Sequence, residues 1–400
     1  MQRFQSYKFE LRPSHSQRAQ MQRIAGCCRF VFNRALAIQG RRSDQGKAKL
    51  PLAQLSMRLA MWRRQPESLW LADAPLVCLY QALRNLERAY TRYHNRQCGL
   101  PTFKKRGRSD SFRFSSAGEL KLDQANSRLS LPHLGWLRYR KSREVLGQVR
   151  NVTISASAGK WFVSILTQRQ VSQPIARGPA VGIDMGIVRF ATMSDGKFYA
   201  PLNSFRRHEK ALAKAQRSWS RKARYSNNWR KQKSKVQRIH VRMGNARRDY
   251  LHKISTTISK NHAVVFIEDL KVSEMSAARD ARYTGSAGAK RGLNKSILDQ
   301  GWYEFRRQLE YKLRWRGGRL VTVSPRNTSI TCPSCRFVSK ENRLSQAQFE
   351  CAHCGFRENA DLVGALNVLR AGHARLACAE SSPAHGASGQ EPTETRRQDF

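Results

Sequence analysis

The chain has few acidic residues and no long apolar segment. Its 400 residues contain 28 Asp and Glu against 74 Lys and Arg, so the net charge is 74 − 28 = +46. No apolar run reaches the length of about 18 residues that a membrane span needs, and residues 1–13 lack the apolar core of a signal peptide. We therefore expect no membrane partner and a cytoplasmic, nucleoid-associated location. Because a compact chain this basic repels itself, its expected partner is a polyanion, nucleic acid.

Cysteine has no overall pairing pattern, since there are nine and five of them are scattered. The other four form two CxxC pairs, Cys332 with Cys335 and Cys351 with Cys354, separated by fifteen residues. Two such pairs direct four thiolates at one ion and leave no open coordination position. We predict a structural Zn²⁺ ligated by these four cysteines; a redox or disulfide role is the competing interpretation.

The first 170 residues show three hydrophobic patterns. Alternation at Tyr7, Phe9 and Leu11 predicts a strand that ends at Pro13. Residues 16–93 have helical periodicity, and residues 99–168 return to a period of two. Basic and aromatic residues alternate in the second region, which suits a small barrel that binds nucleic acid. An ordinary barrel with an aromatic core explains the same residues equally well.

The second half combines short apolar strands with one very basic segment. Apolar runs at 180–186 and 262–270 carry the carboxylates Asp184 and Glu268. Between them, residues 205–248 contain sixteen Lys and Arg against one acid, Glu209. This segment predicts one long helix with a basic outer face, because solvated faces ordinarily mix charges of both signs.

Three carboxylates, Asp184, Glu268 and Asp361, are candidate ligands of a divalent metal. The first two end predicted buried strands, and the third opens an apolar helical segment. Metal-dependent hydrolysis of a phosphodiester needs several oxygen ligands on rigid elements, which can hold two Mg²⁺. Taken singly, each acid has another interpretation: a turn residue, a charge at a strand end and a helix N-cap, respectively.

At these residues the chain resembles the TnpB family, transposon-encoded RNA-guided DNA endonucleases related to compact type V CRISPR effectors. The matching segments are FELRP at 9–13, FKKRG at 103–107, GIDMG at 182–186, IEDL at 267–270, residues 301–318, the CxxC pairs, and NADLVGALN at 359–367. Each is weak alone, and together in this order they are specific. Two positions depart from the family: Arg336 follows the first CxxC where glycine is usual, and Val363 stands where many members carry Asn.

The resemblance implies an α+β multidomain fold. It comprises an RNase H-like (RuvC) α/β domain with a zinc-ribbon insertion, and an N-terminal oligonucleotide-binding β-barrel, the wedge, with a helical recognition insert. The expected boundaries are 1–15 and 96–179 for the wedge, 16–95 for the recognition insert, 180–325 and 361–372 for the nuclease, 326–360 for the zinc ribbon, and 373–400 for a disordered tail. Asp184, Glu268 and Asp361 fall on the three catalytic acids of RuvC.

The same resemblance implies an RNA-guided, Mg²⁺-dependent endonuclease encoded by a transposon. It would cut double-stranded target DNA beside a short flanking motif, through one RuvC-like site, with a guide RNA from the transposon end and as a monomer. The alternatives are a nuclease-inactive RNA-guided repressor and a small type V CRISPR effector. A basic RNA-binding protein with a zinc ribbon explains the charge and cysteines, but not three acids at motif positions.

Overall fold

The computed structural model describes residues 1–381 except 109, 116, 117, 119, 173 and 277–285. The chain divides into two units. Met1–Ser172 and Trp219–Val241 form the first, and the second holds the rest of the described residues. None of the helices in the described ranges has the length and apolar character to cross a membrane.

Seven antiparallel strands form the sheet of the first unit. They are β1 (Gln2–Arg12), β2 (Ser111–Phe114), β3 (Lys121–Asp123), β4 (Arg128–Leu131), β5 (Gly135–Tyr139), β6 (Gln148–Ser157) and β7 (Lys160–Gln170). Their order in the sheet is β2-β6-β7-β1-β5-β4-β3. The predicted first strand is confirmed, and its alternate residues Tyr7, Phe9 and Leu11 are buried. The sheet therefore follows the period of two that the sequence shows.

Helices of the first unit occupy the region with helical periodicity. They are α1 (His15–Asp44), α2 (Leu52–Arg64), a 3-10 helix (Pro66–Asp73) and α3 (Leu76–His94). Ser14 caps α1 in a capping box with Gln17, which explains where that helix begins. The apolar residues of α1 and α3 and those of the sheet share one buried cluster, so sheet and helices have a common core.

The second unit is built on a five-stranded sheet of order β10-β9-β8-β11-β12. Its strands are β8 (Ala180–Asp184), β9 (Ala191–Met193), β10 (Phe198–Tyr199), β11 (Val264–Glu268) and β12 (Arg319–Val323). The three strands β8, β11 and β12 are parallel, whereas β9 pairs antiparallel with both of its neighbours, β8 and β10. Parallel neighbours have their carboxyl ends at one edge, which brings the ends of β8 and β11 together.

Two of the predicted helices are broken in the structure. The helices that follow β10 are α4 (Ser204–Ser220), α5 (Asn227–Asn261), α6 (Val272–Met275), α7 (Ala287–Gln300) and α8 (Trp302–Arg314). The prediction of a single basic helix over 205–248 is therefore wrong, because α4 and α5 are separate helices. Trp302, Phe305, Leu309 and Leu313 recur at helical spacing, and this pattern predicts a second helix over 298–313. That helix is also interrupted, because Gly301 adopts the left-handed conformation (φ +73°) between α7 and α8.

The last elements complete the second unit. They are a 3-10 helix (Lys340–Asn342), β13 (Gln348–Glu350), β14 (Arg357–Asn359) and α9 (Ala360–Ser381). One sheet face packs on α5 and α8, and the other packs on α9 through Phe266, Val321, Val323 and Val368. The expected disordered tail begins inside α9, so that prediction is wrong for 373–381, and residues 382–400 lie outside the described range.

Candidate functional site

The four cysteines of the CxxC pairs meet at one point. Their sulfur atoms all lie within 4.8 Å of one another, and the Sγ–Sγ distances are 3.7 Å for Cys332 with Cys354 and 3.5 Å for Cys335 with Cys351. These distances are far longer than a disulfide bond. A tetrahedron of thiolates about 2.3 Å from zinc has edges of about 3.8 Å, so the arrangement fits a four-thiolate zinc site.

Both CxxC pairs have the same backbone turn. The residue after each pair, Arg336 or Gly355, has a positive φ of 69° or 70°. Its N–H donates to the carbonyl of the first cysteine of its own pair, at 3.1 Å for Cys332 and 2.9 Å for Cys351. Arg336 therefore adopts the backbone conformation of the glycine that usually stands there.

Asp184 and Glu268 lie side by side at the carboxyl edge of the five-stranded sheet. The preceding residues Ile183 and Ile267 are paired in parallel register, so the two acids are neighbours on one face. That face is covered by α9, which begins beside Asp361. A Cβ on Gly364 would lie 3.2 Å from Cγ of Asp184, so α9 approaches this acid closely.

Burial and neighbouring charge affect two of the acids. The pKa of Asp184 rises to about 7, because the carboxyl group is buried and because the charges of Glu268 and Asp361 disfavour its ionisation. Burial also raises the pKa of Glu268, against the hydrogen bond from Thr328. Among the described residues, the four cysteines form the one cluster of potential metal ligands in which all ligand atoms lie within 4.8 Å of one another. The three carboxylates do not form such a cluster.

Neighbouring side chains hold two of the acids. The hydroxyl of Thr328 donates to Oε1 of Glu268 at 2.6 Å. Arg189 approaches Asp361, with 4.0 Å between Nε and Oδ2, and its Nη1 donates to the side chain of Asn359 at 3.3 Å. Glu268 thus accepts a hydrogen bond, and Asp361 has a nearby cation, from residues that the sequence pattern did not single out.

Arg343 is a further residue that sequence reasoning missed. Its positive charge lowers the pKa of Asp184 and so opposes the effects of burial and of the other acids. The carbonyls of Ser345 and Gln346 accept hydrogen bonds from its guanidinium, at 3.4 and 3.1 Å. No sequence signal could have found it, because 159 positions separate it from Asp184.

Residues 219–241, which run from the end of α4 into the first half of α5, form a cationic tip with one exposed aromatic ring, Tyr225, and two half-buried ones, Trp219 and Trp229. The segment has no acidic residue. The ring of Trp229 lies 5.3 Å from that of Trp219 and 5.6 Å from that of Tyr225, and Lys233 Nζ lies 5.1 Å from its centroid. Tyr225 is 70% exposed. Surfaces that combine aromatic rings with cations are typical of nucleic-acid binding, because the rings stack on bases and the cations neutralise phosphates.

Three family descriptions match parts of the chain. Residues 162–279 match "Probable transposase", residues 302–368 match "Cas12f1-like, TNB domain" and residues 1–48 match "Helix-turn-helix domain". In the last range this structure has the strand β1 and the single helix α1. The second range includes all four cysteines of the CxxC pairs.

Two bacterial proteins are similar over nearly the whole chain. The chain is 51% identical to "Putative RNA-guided DNA endonuclease InsQ" of Escherichia coli (strain K12), over 98% of each protein. It is 32% identical to "Putative RNA-guided DNA endonuclease" of Streptomyces pristinaespiralis, over 94% of this chain and 91% of that protein.

A solved structure shares the architecture. The chain from the "Cryo-EM structure of the Cas12f1-sgRNA-target DNA complex" superposes with a TM-score of 0.57 and 12% identity, over 92% of this chain and 99% of that one. At this identity the similarity shows the fold alone, a mixed α/β multidomain architecture.

Proposed function

The chain belongs to the TnpB family of RNA-guided DNA endonucleases, and we propose that it cuts target DNA through Asp184, Glu268 and Asp361 with Mg²⁺. The observation that carries this proposal is the position of Asp184 and Glu268 at the neighbouring ends of β8 and β11, beneath α9, which approaches Asp184 at Gly364 and has Asp361 in its first turn. The five-stranded sheet with helices on both faces would then be the RuvC-like nuclease, and the seven-stranded sheet with α1–α3 the wedge with its recognition insert.

The chemistry of the donor set fits Mg²⁺. Carboxylate oxygens are the ligands this ion prefers, and burial together with the charges of Glu268 and Asp361 raises the pKa of Asp184. When bound, a pair of Mg²⁺ ions activates a water and stabilises the leaving oxygen of the phosphodiester. In this scheme the three acids bind and orient the metal ions. Arg343, whose charge acts on Asp184, offers a cation for the phosphate of the substrate.

The charge of the chain supports a polyanionic substrate complex. A guide RNA and its heteroduplex with DNA are gripped mainly through phosphates, which accounts for a net charge of +46. We assign guide-RNA contacts to the cationic tip at 219–241. The guide would derive from a transposon end, the target would be recognised beside a short flanking motif, and the protein would act as a monomer at the nucleoid. The four cysteines would hold one structural Zn²⁺.

Single substitutions of the acids test the function. Asp184→Ala, Glu268→Ala and Asp361→Asn should each abolish cleavage by the RNA-loaded protein and leave target binding nearly unchanged, because losing a carboxylate does not weaken a cationic protein's grip on a polyanion. Cleavage, target affinity and melting temperature are measured on each variant. Ca²⁺ in place of Mg²⁺ should support binding but little cutting, since its looser coordination positions the attacking water poorly.

Asp249→Asn is the matched control. Asp249 is exposed on α5 and pairs with Lys253 at 2.7 Å, so this variant also loses one carboxylate but should cut normally. An Asp361→Asn protein that cuts at the normal rate contradicts the metal site and leaves Asp361 as an acidic residue in the first turn of α9. A wild-type protein that binds its target and never cuts identifies the repressor instead.

A further inference from the structure

Glu268 has a buried partner that holds one of its two oxygens. Glu268 and Thr328 are each only 7% exposed, and the Thr328 hydroxyl lies 2.6 Å from Oε1 of Glu268. The same hydroxyl lies 3.1 Å from the carbonyl of Pro325. A hydroxyl has one proton, and the shorter bond to an ionised acceptor is the stronger. Thr328 therefore occupies Oε1 and leaves Oε2 of Glu268 available.

Asn367, on α9, fixes the segment that carries Thr328. Its Nδ2 donates to the carbonyl of Thr328 at 2.8 Å and to that of Thr331 at 2.8 Å. An amide nitrogen has two hydrogens, so both are used here. Asn367 is 7% exposed, which means that water cannot easily replace these bonds. The helix that begins beside Asp361 thus also holds the partner of Glu268.

Asn342, from the zinc ribbon, grips the same segment. This side chain is fully buried, and its Nδ2 donates to the carbonyls of Ile330 and Phe337 at 2.9 and 3.1 Å. Its Oδ1 accepts from the N–H of Ala352, between the cysteines of the second pair, at 3.0 Å. Residues 328–331, at the start of the zinc ribbon, are therefore held both by Asn367 of α9 and by Asn342 of the ribbon itself.

We propose that Thr328 is a positioning residue for Glu268, held by Asn367 and Asn342, so that the zinc ribbon helps to set the divalent-metal site. The inference rests on the proposed function, in which Glu268 binds Mg²⁺. A carboxylate with one oxygen fixed presents the other in a single orientation. Without the hydroxyl, Glu268 keeps its burial, loses its partner and samples other rotamers. Loss of such a partner of a metal ligand ordinarily costs about 10- to 100-fold in metal affinity or activity.

The test compares Thr328→Val with Thr328→Ser. Valine preserves the shape and removes the hydroxyl, whereas serine keeps the hydroxyl. Mn²⁺ is titrated calorimetrically into the RNA-loaded protein, and the heat that disappears in Glu268→Ala is assigned to the site. We expect Thr328→Val and the smaller Thr328→Ala to bind Mn²⁺ at least about tenfold more weakly, and to need correspondingly more Mg²⁺ for half-maximal cutting. Thr328→Ser should resemble the wild type, and zinc content should be equal in all.

Thr167→Val is the matched control for a lost buried hydroxyl. Thr167 is fully buried on β7 of the first unit, where its hydroxyl donates to the carbonyl of Leu146 at 2.7 Å. It should leave Mn²⁺ affinity unchanged. If Thr328→Val and Thr328→Ala both bind Mn²⁺ like the wild type, the positioning role is wrong and the nuclease site stands. If wild type and Glu268→Ala give the same heats, the metal site itself fails. A Thr328→Ser variant as weak as Thr328→Val also overturns the role of the hydroxyl.

Discussion

Arg336 occupies a backbone conformation that favours glycine. Its φ of 69° matches the 70° of Gly355 in the second CxxC turn, where the usual glycine is present. A non-glycine residue in this region costs about 1–2 kcal/mol, because its Cβ approaches the backbone. The turn keeps this conformation because the N–H of Arg336 donates a hydrogen bond to the carbonyl of Cys332.

Arg336→Gly should stabilise the zinc ribbon. Glycine removes the strain of the left-handed backbone, and this gain is larger than the entropic cost of ordering a more flexible residue. The free energy of unfolding should therefore rise by about 0.5–1 kcal/mol. Slower release of zinc to a chelator and slower hydrogen exchange across 326–359 would report it. Gly355→Ala is the mirror experiment, because a Cβ there meets nothing within 4 Å and adds strain alone. Shifts of the same sign in both variants would contradict this account.

The zinc ribbon is an element with almost no core of its own. Its buried cluster consists of two of the cysteines, Phe349 and two residues of α9. The strands β13 and β14 have three residues each. So small a module ordinarily cannot fold on buried apolar surface alone, and a bound metal would supply its folding free energy.

Cys332→Ser and Cys354→Ser should unfold the ribbon and weaken target engagement. Elemental analysis should find about one zinc per wild-type chain and none in either variant. Limited proteolysis should then cut within 326–359 while the rest of the chain stays protected. Cys98→Ser, which removes an exposed thiol of the first unit, should change neither reading. Soluble, active wild-type protein without zinc would count decisively against this role.

The breaks in the helices predicted over 205–248 and 298–313 show that hydrophobic periodicity does not locate the ends of helices. Ser226 is the last residue of the break between α4 and α5, and its hydroxyl accepts a hydrogen bond from the N–H of Trp229 at 3.1 Å. The residue before it, Tyr225, has a φ of 68°. Ser226 is an N-cap signal that the charge pattern obscured. At Gly301 the glycine itself was the signal, since it favours the left-handed end of a helix.

The charge of the whole molecule is the property that nucleic acid must balance. The excess of 74 basic over 28 acidic residues is concentrated in part between 205 and 248, where the cationic tip exposes Arg224, Arg230 and Tyr225. Binding to a polyanion releases its condensed counterions, so affinity depends steeply on salt.

The purified protein should carry a discrete RNA, and its target affinity should fall linearly with salt on a double-logarithmic plot. Arg224→Gln and Arg230→Gln should each reduce the slope for RNA binding by about 1 if they contact a phosphate. Asn228→Ala, on the same exposed tip, should not change it. RNA-free protein that cuts one DNA sequence with full specificity would refute the guide.

The sequence by itself determined the cysteine group and the candidate acids. A CxxC spacing creates its knuckle locally, so the meeting of Cys332, Cys335, Cys351 and Cys354 could be predicted from spacing and is confirmed. Strand alternation likewise located Tyr7, Phe9 and Leu11 in the core. Asp184 and Glu268 could be assigned to strand ends for the same reason, although their catalytic role remains a proposal.

Only the tertiary structure decided which residues surround those acids. Thr328 and Arg343 belong to no local pattern, and Thr328 lies 60 positions from the carboxylate it contacts. Asn367 ends the NADLVGALN segment, but that segment does not indicate which carbonyls its side chain contacts. Hydropathy and spacing report the geometry of a few neighbouring residues. The packing of α9 on the sheet and on residues 328–331 depends on contacts between distant segments, which form only when the whole unit folds.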